Sequence, residues 1–73
     1  METYLTIWFS SEGARVTDVN DRLMSMGFRP MSGNYDYIYD WGKEANVEHA
    51  LAMGEQVQQT LKGCGVTFKL ESV

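Results

Sequence analysis

Apolar and polar positions alternate along residues 3–10, Thr-Tyr-Leu-Thr-Ile-Trp-Phe-Ser, with Leu5, Ile7 and Phe9 on one side and Tyr4, Thr6 and Trp8 on the other. A period of two in a run of β-branched and aromatic residues predicts a strand. Ser10-Ser11-Glu12-Gly13 breaks that pattern, and Val16, Val19, Leu23 and Met26 then recur at spacings of three, four and three. That period predicts a helix with one buried stripe. Gly27 stands just past it, where a left-handed cap favours glycine, and Phe28 is placed to pack back on the helix end.

Phe28-Arg29-Pro30-Met31 predicts a second, short strand at a sheet edge, because proline has no N–H for a ladder. Ser32-Gly33-Asn34 predicts a hairpin turn into a third strand, Tyr35–Trp41. Asn46 is a cap for a second helix with an apolar stripe of Val47, Ala50, Leu51, Gly54, Val57 and Leu61, ending at Lys62-Gly63. Gly54 in its middle costs roughly 1 kcal/mol against alanine and predicts a close backbone approach there. Val66–Glu71 alternates strictly and predicts the fourth strand. The order β-α-β-β-α-β in an α+β chain leads to a ferredoxin-like plait. Its antiparallel sheet has the order 4-1-3-2, with both helices on one face. Residues 1–73 are expected to form a single domain.

The faces follow from charge. Strand three offers either Tyr35, Tyr37, Tyr39 and Trp41 or Asp36, Ile38 and Asp40 to the helices, and burying two unpaired carboxylates costs several kcal/mol each. The aromatic set is therefore expected inward. The open face then carries Tyr4, Thr6, Trp8, Asp36, Ile38, Asp40, Thr67, Lys69 and Glu71. Three readings are open for the Tyr4, Trp8 and Ile38 patch on it. A second copy can pack on it face to face, with these three residues as interface. The C-terminal residues or a loop can cover it. Single-stranded RNA can stack on it, although Asp36 and Asp40 oppose phosphates.

The chain has 73 residues, a formal charge of −4 and 44% hydrophobic residues. A domain this small buries only about 60% of its unfolded surface, so self-association is expected. Six Lys and Arg, none adjacent, argue against nucleic acid and anionic membranes as partners. No apolar run approaches the length of a membrane span, and Glu2 stands where a basic leader would begin, so neither a span nor a signal peptide is expected. The single cysteine, Cys64, argues against an internal disulfide and for a cytoplasmic setting.

Chemistry is sparse. His49 has no second histidine beside it, and Cys64, between Gly63 and Gly65, has no thiol partner for zinc or redox work. It reads as a small residue fitting a tight turn. Asp36 and Asp40 share a strand face but lie roughly 13 Å apart along it, too far for a carboxylate dyad. Gly13, before the first helix, puts the N–H groups of Ala14 and Arg15 where they can hold an anion, with Glu12 opposing it. An ordinary turn is the simpler reading. No cofactor or metal is implied.

Ser32-Gly33-Asn34-Tyr35-Asp36-Tyr37-Ile38 resembles the Gly-x-Tyr-Asp strand signature of the GYD domain and of the amino-acid-sensing RAM domain of leucine-responsive regulatory proteins. Leu61-Lys62-Gly63-Cys64-Gly65-Val66-Thr67 resembles the helix-to-strand ending of those domains. Gly13–Val19 followed by Met26-Gly27-Phe28 is similar to the start of an ACT domain. The resemblance implies a dimeric plait that binds a small molecule, often an amino acid, near loops at a subunit interface. Gly33, Tyr35 and Asp36 occupy the motif positions, and with Gly13 they form the candidate ligand-binding set. The expected function is a non-enzymatic, self-associating ligand-binding or regulatory module. The alternative is a protein-interaction adaptor using the open face or an edge strand.

Overall fold

The computed structural model describes residues 1–43 and 46–73. The elements run β1 (Glu2–Phe9), α1 (Val16–Ser25), β2 (Arg29–Pro30), β3 (Tyr37–Asp40), α2 (Val47–Leu61) and β4 (Val66–Ser72). They form an α+β structure with one four-stranded antiparallel sheet in the order β2-β3-β1-β4. The central strand β1 pairs Leu5 with Tyr37 on one side and Leu5 with Leu70 on the other. Leu5, Ile7 and Tyr37 therefore point to one face, where Val19, Leu23, Phe28, Met53, Val57, Leu61 and Cys64 meet them in the core. The helices α1 and α2 contact one another, and α2 packs on β4.

The first helix closes as its sequence requires. Gly27 takes a φ of +104°, the Phe28 N–H donates to the Leu23 carbonyl at 3.1 Å, and Phe28 is buried. Such a closure satisfies carbonyls the helix itself cannot. In α2 the Asn46 side chain accepts the His49 N–H at 3.0 Å, the expected cap.

The face of α2 differs from the stripe its sequence predicts. Met53, Val57 and Leu61 are buried, whereas Val47 and Leu51 are 71% and 68% exposed. The helix is rotated so that Met53, a flexible side chain that fills irregular gaps, enters the core in place of the two branched residues. The predicted close approach at Gly54 is absent as well, since a Cβ there would meet only Leu70 Cδ1, at an ordinary 3.8 Å. Val16, expected in the stripe of α1, is 56% exposed, and burial in that helix falls to Val19 and Leu23.

The hairpin also departs from expectation. β2 shrinks to Arg29–Pro30 and β3 begins at Tyr37, because Asp36 leaves the alternation. Its N–H donates to the Leu5 carbonyl at 2.9 Å and its carbonyl accepts the Met31 N–H at 3.0 Å. Its carboxylate accepts the Ile7 N–H at 2.9 Å. Beyond Tyr37 the edge of β1 has no strand to pair with, and Asp36 supplies an acceptor in the plane of the sheet.

A polar contact sits inside the covered layer. Thr3, 1% exposed, accepts the Trp41 indole N–H at 2.7 Å on Oγ1 and shares a 2.8 Å hydrogen bond with the Ser72 hydroxyl. This ties β1, β4 and the end of β3 together, and among the described residues no buried side-chain nitrogen or oxygen lacks a partner. The two glycines at 54 and 13 make opposite predictions. Gly54→Ala raises unfolding stability by about 0.5–1 kcal/mol, since the helix gains propensity without a clash. Gly13→Ala, whose Cβ would strike the Cys64 carbonyl oxygen, lowers it by about 1–3 kcal/mol. Urea denaturation monitored by Trp fluorescence measures both, and a loss for Gly54→Ala would contradict the packing described.

Candidate functional site

The break at Asp36 decides what the open face looks like. Strict alternation would put Tyr35 on the same side as Tyr37, but the chain turns at Asp36 and Tyr35 emerges on the opposite side. There its ring stacks on Tyr4, with centroids 4.5 Å apart and planes 23° apart. Its hydroxyl reaches across β1 and donates to Glu71 on β4 at 2.6 Å. Tyr35 thus belongs to the open face rather than the core, and Asp36 lies in the sheet plane rather than on that face. The expected inward set keeps Tyr37, Tyr39 and Trp41. Tyr37 is buried and donates through its hydroxyl to Asn20 on α1 at 2.7 Å. Tyr39 packs on Phe28 and Trp41, at centroid distances of 5.5 and 4.7 Å.

Of the three residues expected as interface, Tyr4 lies under Tyr35 and is half-buried, Ile38 is half-buried beside it, and Trp8 is 54% exposed. The hairpin loop covers the middle of the patch and leaves Trp8 free. Tyr4 also donates through its hydroxyl to Glu2 at 3.2 Å. Partial burial and, second, the Glu2 carboxylate push its phenol above the ordinary tyrosine value.

Glu71 is the junction of this surface. It accepts the Tyr35 hydroxyl and pairs with Lys69 at 2.7 Å. The Lys69 ammonium first, then the Tyr35 hydroxyl, hold its carboxyl below the usual glutamate value. The same contacts raise the Tyr35 phenol and the Lys69 ammonium. Lys69 is exposed and Tyr35 and Glu71 are half-exposed, so this is a pairing that orients side chains more than a large source of stability.

Gly13 and the Gly33–Asp36 segment lie at one end of the sheet, where β1 ends and β3 and β4 begin. Gly13 is committed to structure there. The Ala14 N–H donates to the Cys64 carbonyl at 2.8 Å, which takes one of the two donors expected for an anion. Gly33, with φ of +116°, sits in the hairpin loop with open space where a Cβ would stand. Cys64 is buried with its sulfur 3.1 Å from Arg22 Nη1, fitting the tight turn. Asp40 accepts the Gly42 N–H at 2.8 Å. Among the described residues no three His, Cys, Asp or Glu side chains cluster as metal ligands, and no helix is long and apolar enough to cross a membrane.

Sequence reasoning missed a second feature on the helical side. The His49 ring stacks on Trp41 at 5.8 Å, and a groove of about 420 Å³ runs beside them along Met53, Gln56 and Gln59. The helical period alone places His49 in the first turn of α2, and the aromatic at the end of β3 was the available signal for its stacking partner. Comparison with protein-family models, curated proteins and solved structures finds no match to this chain.

The pairing at Glu71 has a measurable consequence. Its depressed pKa means that the stabilisation it provides is present above the ordinary glutamate value and lost as pH falls through the folded-state value. Tyr35→Phe removes one of the two contacts that depress it, so the Glu71 titration midpoint moves up toward the ordinary value. Carboxyl-carbon NMR across an acid titration reads this shift, and an unchanged midpoint would show that Tyr35 does not hold Glu71.

Proposed function

We propose that the chain is a single ferredoxin-like plait acting as a non-enzymatic, self-associating module that binds a small molecule or carries a regulatory signal. The antiparallel neighbours β4-β1-β3-β2 support the fold, being those that two right-handed β-α-β crossovers produce, and so does the contact between α1 and α2. The observation that carries the function is the hairpin loop laid over the open face. Tyr35 stacked on Tyr4, with exposed Trp8 on the same face, makes an aromatic surface bordered by Glu71 and Lys69. Such a mixture of flat apolar area and a few oriented polar groups suits a small ligand that is part apolar and part charged, as an amino acid is.

The carboxylates on and beside this surface are each engaged in a hydrogen bond or an ion pair. Asp36 holds the Ile7 N–H, Asp40 holds the Gly42 N–H, and Glu71 is shared by Tyr35 and Lys69. General acid–base catalysis asks for the opposite arrangement, with a group free to exchange its proton. The free, buried Cys64 accords with a reducing, cytoplasmic setting.

Thermal-shift measurements against amino acids and nucleotides test the ligand reading. At least one amino acid is expected to raise the midpoint of the wild-type protein. Tyr35→Ala, which uncovers Tyr4, is expected to abolish that rise. No shift with any amino acid, or one equal in Tyr35→Ala, would overturn the proposed site.

A further inference from the structure

β4 is a free edge seven residues long, whereas the opposite edge, β2, has two residues and ends in Pro30. Which backbone groups of β4 are free follows from its ladder with β1. Glu2 and Val73 exchange both hydrogen bonds at 2.9 Å, so by alternation Glu71, Lys69 and Thr67 also face β1. The N–H and C=O groups of Phe68, Leu70 and Ser72 then point outward, away from the sheet.

From this edge, we propose that two copies of the chain join their β4 strands antiparallel about a two-fold axis at Leu70, making a continuous eight-stranded sheet. The inference deepens the self-association proposed above, and rests on it. In this register Leu70 pairs with the partner's Leu70, and Phe68 with the partner's Ser72, each pair exchanging two backbone hydrogen bonds. Lys69 falls opposite the partner's Glu71, and Glu71 opposite the partner's Lys69. Shifting the axis to residue 69 also matches the outward backbone groups but sets two lysines face to face, a like-charge pair that destabilises a sheet. Among the axes within β4 that match the outward groups, only the one at Leu70 sets a lysine opposite a glutamate, and charge therefore favours that register.

The covered side of the edge fits the same partner. Val47, Leu51 and Gly54 lie one helical turn apart on α2, and a Cβ at Gly54 would lie 3.8 Å from Leu70 Cδ1. The two large residues of this stripe are exposed in the single chain. A copy related by the axis at Leu70 presents the same stripe to them, as a self-complementary interface requires.

Charge exchange tests the register. Wild-type protein is expected to sediment as a dimer at micromolar concentration. Lys69→Glu and Glu71→Lys, each folded by circular dichroism, should separately weaken dimerisation roughly tenfold, because two attractive pairs become repulsive. An equimolar mixture of the two variants should regain wild-type association, since every pair is again of opposite sign. Trp8→Asp, on the open face, should leave the dimer intact. A wild-type protein that stays monomeric would overturn self-association itself. A dimer that is indifferent to both charge variants but lost in Trp8→Asp would leave self-association standing and overturn the β4 edge as its site.

Discussion

The arrangement of the open face depends on one hydrogen bond, from the Ile7 N–H to the Asp36 carboxylate. A strand that alternates without interruption from Tyr35 to Trp41 has to bury either three tyrosines and a tryptophan or two carboxylates and an isoleucine. The chain avoids the full cost of both. It breaks the alternation at Asp36, uses that carboxylate to satisfy a strand N–H that no neighbouring strand reaches, and sends Tyr35 to the opposite side. An unpaired backbone N–H is worth about 1–3 kcal/mol when buried, so the acceptor supplied by Asp36 matters on the scale of a small domain's total stability.

From that break the rest of the open face follows. Tyr35 lands on Tyr4, reaches Glu71, and through Glu71 is connected to Lys69. Side chains from the hairpin loop, β1 and β4 are thereby joined on a face that carries no helix residues. On the other side, Thr3 collects Trp41 and Ser72 into a second cross-strand link. The central strand β1 is thus covered on the open face by Tyr35, which stacks on Tyr4 and reaches Glu71 of β4, and is tied on the inner face by hydroxyls and an indole.

Much of the fold was legible because it rests on local rules. The change from period two to period 3.6 located β1 and α1, Gly27 and Asn46 marked helix ends that close as expected, and Pro30 marked a strand too short to be anything but an edge. Three features were not legible, each for a tertiary reason. The rotation of α2 onto Met53 depends on the shape of the space over β1 and β4, which no window of α2 contains. The position of Tyr35 depends on a single N–H of β1, 29 residues away from Asp36 in sequence. The stacking of His49 on Trp41 needs the orientation of α2 against the end of β3. The candidate ligand residues divide accordingly: Gly13 belongs to the packing of one loop on another, whereas Tyr35 gains a role on the open face that its alternation alone denied it.

The contact between the Tyr4 and Tyr35 rings, read by nuclear Overhauser effects in the wild-type protein and in Asp36→Ala, tests this account most directly. Strong inter-ring effects are expected in the wild type and their loss in Asp36→Ala, together with faster exchange of the Ile7 amide. Inter-ring contacts that persist unchanged without the Asp36 carboxylate, or that are missing from the wild type, would contradict it.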